Sequence, residues 1–259
     1  HVLISDQRMP LMTGVELLRQ ARERSPDTMR LLLTGYADME AIIGSINEGE
    51  VFRYLAKPWN AEEIRATVAA AMEIAVGLSI TPQVSLTKAS NDEVHDVLLV
   101  DQEPAVVTAL RTLFAETGPT NLRLHWADSL DHAMAKLEVC KFSLVISEIH
   151  VNGEDMTPFL ATLKRYHPEV ATIVLTSFQD TSLLMNLINQ GQIHRFLPKP
   201  VRRTLTMRGI LSGIEHHRQI THRPELAQRH QVEAPKVEVN HGLIGRIRGL
   251  FGHERRLAN

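Results

Sequence analysis

The 259 residues carry 28 Lys and Arg against 30 Asp and Glu, and 44 % of them are apolar. That composition fits a globular protein, and the net charge of −2 gives no bulk electrostatic pull towards nucleic acid or a membrane surface. The length allows two domains of roughly 100–150 residues. The single cysteine, Cys140, rules out an intrachain disulfide and fits a reducing, cytoplasmic setting. No apolar run approaches the roughly 18 residues that span a bilayer.

The chain opens at His1 on the apolar run VLIS, closed by Asp6. The helical pattern GVELLRQARER follows, then the strand MRLLLT, the helical pattern MEAIIGSINEG, the strand VFRYL and the helical pattern AEEIRATVAAAMEIA. Together, residues 1–77 read as one α/β unit. Residues 78–95 lack periodicity and are expected to be a linker. A second unit spans 96–220, with strands near 97–100, 121–126, 143–147, 171–175 and 193–197 and helices between and after them. Residues 221–259 read as a further linker ending in an amphipathic C-terminal helix. Alternating strands and helices imply parallel sheets.

An internal repeat organises this pattern. LLLTGYADMEAIIGSINEGEVFRYLAKPW (31–59) matches TIVLTSFQDTSLLMNLINQGQIHRFLPKPV (172–201). Thr34 falls on Thr176, Gly49 on Gly191, Tyr54 on Phe196 and Lys57 on Lys199, each 142 positions apart, and the same offset carries Asp6 onto Glu148. The second unit is complete on this register. The first has only the last three strands, and its full form is expected to need roughly 50 residues upstream, judged from the size of the second unit. Without them, the apolar edge of VLIS is expected to lie exposed.

The motifs ISDQRMPLMTGVELL, LLLTGYAD and RYLAKPW resemble the bacterial receiver domain of two-component systems, over most of residues 1–77 and 95–220. They look especially similar to receivers of hydrogenase-type regulators and of cyclic-di-GMP phosphodiesterase regulators. The resemblance implies two flavodoxin-like, doubly wound parallel-sheet α/β domains in tandem, the first incomplete. In such sheets ligands bind beyond the carboxyl ends of the strands. Asp6 is then the expected phosphoacceptor, supported by Lys57 as a fixed positive charge, by the hydroxyl of Thr34 and by Gly35, which keeps the approach open. Tyr54 matches the aromatic switch residue, and Lys57–Pro58 is expected to be cis. A magnesium ion would be held by Asp6 and the backbone carbonyl of Arg8, with an acidic pair from the upstream strand.

The second unit departs from the pattern. Asp101 matches one acid of the pair, but Gln102 replaces the other and Glu148 replaces the phosphoacceptor, while Thr176 and Lys199 remain. Either Glu148 imitates a charged state by pairing with Lys199, or the site is dead and the domain is kept for its surfaces. In the second case Lys199 is free to find Asp101 instead.

The resemblance implies a response regulator of phosphorelay signal transduction, not an enzyme in its own right. Expected partners are a histidine kinase or phosphotransfer protein, and a second copy through receiver faces. The rival readings are a phosphorylation-independent scaffold, and the regulatory part of a longer enzyme or transcription regulator. No helix-turn-helix pair, Gly-rich phosphate loop or metalloprotease motif is visible. The 13 histidines lack metal-ligand spacing, and Trp59 and Trp126 read as packing residues. In the tail, Leu243, Ile244, Ile247, Leu250 and Phe251 share one helical face, with Arg246, Arg248, Arg255 and Arg256 mostly outside it. That pattern suits a segment binding a partner or membrane surface, or one that docks on its own protein. Four glycines at about 1 kcal/mol each weigh against a free-standing helix.

Overall fold

The computed structural model describes residues 1–25, 28–35, 51–80, 93–117, 119, 121–177, 193–224 and 245–247. The expected helix at 39–49 lies outside them.

The first unit runs β1 (Val2–Asp6), α1 (Gly14–Arg24), β2 (Met29–Thr34), β3 (Arg53–Ala56) and α2 (Ala61–Ile80). Its three strands are parallel, in the order β1-β2-β3. α1 starts at a capping box: the Thr13 hydroxyl accepts from Glu16 N–H, and the Glu16 carboxylate accepts from Thr13 N–H at 2.7 Å. α2 runs on to Ile80, into the segment expected to be linker.

The second unit contains β4 (His95–Val100), α3 (Pro104–Thr117), β5 (Leu122–Ala127), α4 (Leu130–Val139), β6 (Leu144–Ser147), a small hairpin of β7 (His150–Val151) and β8 (Glu154–Asp155), α5 (Thr157–Tyr166), β9 (Ala171–Thr176), β10 (Arg195–Pro198) and α6 (Arg203–His222). Its five parallel strands lie in the order β10-β9-β6-β4-β5, the doubly wound topology. One sheet face packs on Leu137, Phe159 and Leu163, the other on Leu110, Ile210 and Ile214. The central strands are therefore apolar on both sides, as buried parallel strands must be.

The 142-residue offset holds at the level of strand register. Val2 pairs with Met29 as Leu144 pairs with Ala171, and Leu32 pairs with Tyr54 as Val174 pairs with Phe196. One position shows what differs. Ile146 is wholly buried, with β4 on the far side of its strand, whereas the equivalent Ile4 is 41 % exposed on the edge strand β1. Among the described residues nothing pairs with that outer edge.

Candidate functional site

Both candidate sites form at the carboxyl ends of the parallel strands. Asp6 ends β1, Thr34 ends β2, and Lys57 follows β3, with its N–H donating to the Thr34 carbonyl at 2.9 Å. The Lys57 ammonium forms an ion pair with the Asp6 carboxylate. Asp6 also accepts from Arg8 N–H at 3.1 Å. The Lys57 hydrogen bond, ahead of the Arg8 amide and against partial desolvation, holds the Asp6 carboxyl below its ordinary value. Both side chains stay about one-third exposed, so the pair is reachable from solvent. Thr34 is fully buried and donates its hydroxyl to the Gly35 carbonyl at 3.2 Å. Tyr54 is packed inward at 1 % exposure. Lys57–Pro58 and Lys199–Pro200 are both cis.

Two supporting residues escaped the motif reading. A side chain on Gly14 would come within 2.3 Å of the Asp6 carbonyl oxygen, so only glycine lets α1 approach this closely. Gln7 turns its side-chain oxygen to Val15 N–H at 3.3 Å, tying the start of α1 to the residue beside Asp6. The visible signal was GVELL directly after the Asp6 loop, read only as a helix start.

In the second unit Lys199 follows β10 and likewise donates N–H to the Thr176 carbonyl at 2.9 Å. Its ammonium sits 2.7 Å from Glu148, 2.9 Å from Asp101 and 2.8 Å from Glu103. Pairing with Glu148 and pairing with Asp101 are therefore not alternatives, because one ammonium reaches both. Glu103 was missed, although it follows Asp101 by two residues in DQEP. Burial pulls the Lys199 ammonium towards neutrality, but hydrogen bonds to Glu103, Glu148 and Asp101 outweigh it and hold its pKa above the ordinary value. Burial raises the Asp101 carboxyl, opposed by the Glu103 amide and Lys199. Glu148 also accepts from Ile149 N–H at 2.7 Å. Gln102 leaves the site and accepts from Asn152 N–H.

Trp59 is a correction: it is 54 % exposed, beside Lys57, and not a packing residue. Trp126 is partly buried and donates to the Asp101 carbonyl at 2.8 Å.

Magnesium takes carboxylate and carbonyl oxygens together with water. Asp6 and the Arg8 carbonyl are donors of that kind, but the described residues hold no group of three or more His, Cys, Asp or Glu able to bind a metal. The second site does not fit the ion, because Lys199 already stands among its carboxylates.

Residues 1–69 and 97–223 match the response regulator receiver domain family, so the chain belongs to that family. It is a response-regulator protein with two receiver units. It is similar to the hydrogenase transcriptional regulatory protein HoxA of Cupriavidus necator, 44 % identical over 72 residues, which are 28 % of this chain and 15 % of HoxA. It is also similar to the DNA-binding transcriptional regulator NtrC of Escherichia coli K12, 39 % identical over 67 residues, 26 % of this chain and 14 % of NtrC. The chain thus spans a small part of the curated relatives it matches. Among solved structures, the signal receiver domain of an HD domain-containing protein from Pseudomonas fluorescens Pf-5 aligns at 26 % identity and a TM-score of 0.48, over 54 % of this chain and 99 % of that one.

Proposed function

We propose that Asp6 accepts a phosphoryl group from a histidine kinase or phosphotransfer protein, and that the second unit is a pseudo-receiver that does not. The observation that carries this reading is the contrast between the two lysines. Among the described residues, Lys57 pairs with one solvent-accessible carboxylate and favours its ionised form, whereas Lys199 is committed to three. An ionised Asp6 can attack phosphorus, forming an O–P bond as the P–N bond to the donor's phosphohistidine breaks and its imidazole leaves, and Lys57 can then follow the charge onto the phosphoryl oxygens. Thr34 would exchange the Gly35 carbonyl for a phosphoryl oxygen. Tyr54 lies on the adjacent strand, placed to respond to that shift. Asp6 and the Arg8 carbonyl would hold magnesium, which supplies charge neutralisation; a further carboxylate must come from beyond the described residues.

On this reading the described units carry no separate output reaction. They act in the cytoplasm, within a longer regulator of the kind exemplified by HoxA or NtrC. A scaffold role suits the second unit alone, because its lysine is already fully paired. The test is acetyl phosphate with magnesium on the full-length protein, followed by mass mapping. Label on Asp6, lost in Asp6→Asn, is expected. Label on Glu148, or label unchanged in Asp6→Asn, overturns the assignment.

A further inference from the structure

The tail segment, so far without a role, has a described contact. Residues 245–247 form a helical turn seated on the second unit beside α4 and α5. Three different interactions meet there. Ile247 is wholly buried and joins the apolar cluster that contains Leu137, Phe159 and Leu163. Its backbone carbonyl accepts from Nε2 of His167 at 2.8 Å, and His167 is itself buried at 6 % exposure. Arg246 donates from Nε to Glu138 at 2.9 Å and lies 3.6 Å from Asp131, so two carboxylates on α4 flank its guanidinium.

A random apolar collision would bury the isoleucine alone. Here a buried imidazole of the domain is directed to a tail carbonyl, and two acidic side chains two turns apart on one face of α4 receive one arginine. The Nε2 of His167 meets the Ile247 carbonyl while its Nδ1 lies 3.4 Å from Glu169, so the ring is oriented towards an occupant's carbonyl. Helical ends provide such carbonyls.

We propose that the α4–α5 face of the second unit is a docking site for a basic, apolar helical turn, and that the chain's own Arg246–Ile247 segment is its resident occupant. This stands independently of phosphorylation at Asp6. Residues 225–244 connect the last turn of α6 to the docked turn. The docked turn is covalently attached to the domain it contacts, so the contact is made intramolecularly and a weak one can be filled in cis. Docking covers part of the α4–α5 face, and release uncovers it together with Arg246 and Ile247.

The probe is a fluorescein-labelled peptide of residues 242–257, titrated against the full chain by anisotropy. Ile247→Asp should empty the site and bind the peptide at least about tenfold more tightly than wild type. Adding Glu138→Arg and Asp131→Arg to that variant should lose the gain, and a peptide carrying Arg246→Glu should restore it. Protection of the Arg246–Ile247 bond from trypsin in wild type, lost in Ile247→Asp, would agree. Equal peptide binding to wild type and Ile247→Asp overturns the proposal, as does indifference to the Glu138 and Asp131 reversals. A wild-type dimer by sedimentation that Ile247→Asp abolishes overturns the cis assignment, because the tail would then be exchanged between copies.

Discussion

Lys57 and Lys199 are the same residue of the repeat, yet they face different energetics. Lys57 pairs with one carboxylate that is 37 % exposed, a setting in which an ion pair contributes about 0–1 kcal/mol. Lys199 is 7 % exposed and neutralises Asp101, which has no exposure at all. Removing one partner of a buried pair strands the other charge, at a cost of about 3–5 kcal/mol. Lys199→Met should therefore destabilise the second unit by at least about 2 kcal/mol more than Lys57→Met destabilises the first, measured by urea unfolding. A double-mutant cycle with Glu148→Gln then separates the role of Glu148 from those of Asp101 and Glu103. Appreciable coupling is expected from the 2.7 Å contact. Coupling of zero would mean that Glu148 imitates nothing and that Asp101 and Glu103 hold the lysine.

At the scale of elements, the loop after β1 is where the two units part. Leu11 sits at φ 76 and is fully exposed, while 142 positions on Gly153 takes φ 81 in the same left-handed region. A left-handed backbone costs a non-glycine residue about 1–2 kcal/mol, so Leu11→Gly should raise stability by about 1 kcal/mol, read as a shift in the unfolding midpoint. Gly14→Ala should do the opposite. Its methyl would meet backbone at 2.3 Å, which cannot give way as a side chain does. Overpacking of this kind costs about 1–3 kcal/mol. It should also displace the Asp6 backbone and slow labelling by acetyl phosphate, whereas Leu11→Gly should leave labelling close to wild type.

Across the whole second unit, the amino end of the sheet concentrates buried basic groups. Lys164 is 1 % exposed and donates to the Pro168 carbonyl at 2.7 Å; burial lowers its pKa to about 7, although Glu169 pulls the other way. His194, just before β10, and His217, on α6, both feel its charge and are themselves lowered, mainly by burial. His95 is lowered by burial and by Arg218, which donates to its Nε2 at 3.1 Å, so the ring meets that donor in its neutral form. The linkage follows from the proton count. Between about pH 7 and 10.5 the unfolded chain keeps a proton on Lys164 that the folded chain releases, so stability rises with pH across that window. The slope approaches about 1.4 kcal/mol per pH unit from this one group. Below pH 6.5 the unfolded histidines take up protons first, so stability falls as the pH drops towards their folded values. Urea unfolding from pH 5.5 to 9.5 should show a monotonic rise, and Lys164→Met should flatten the part above pH 7. A slope unchanged in Lys164→Met would assign the rise to other groups.

The amino-acid sequence by itself determined the two parallel-sheet units, their shared register and the placement of Asp6, Thr34, Lys57 and their counterparts at the carboxyl ends of the strands. These are local or periodic properties: a buried parallel strand must be apolar throughout, and a residue closing such a strand must lie at the sheet's carboxyl edge. The exposed edge at Ile4 was legible in the same way, from a strand pattern without its neighbour. Only the tertiary structure decided which carboxylates share Lys199, that Gln102 turns away from the site, that Trp59 is exposed and that Ile247 is docked beside His167. Each depends on side chains brought together from distant segments, His167 and Ile247 lying 80 positions apart. Periodicity records which face of an element is buried, but not which partner meets it there.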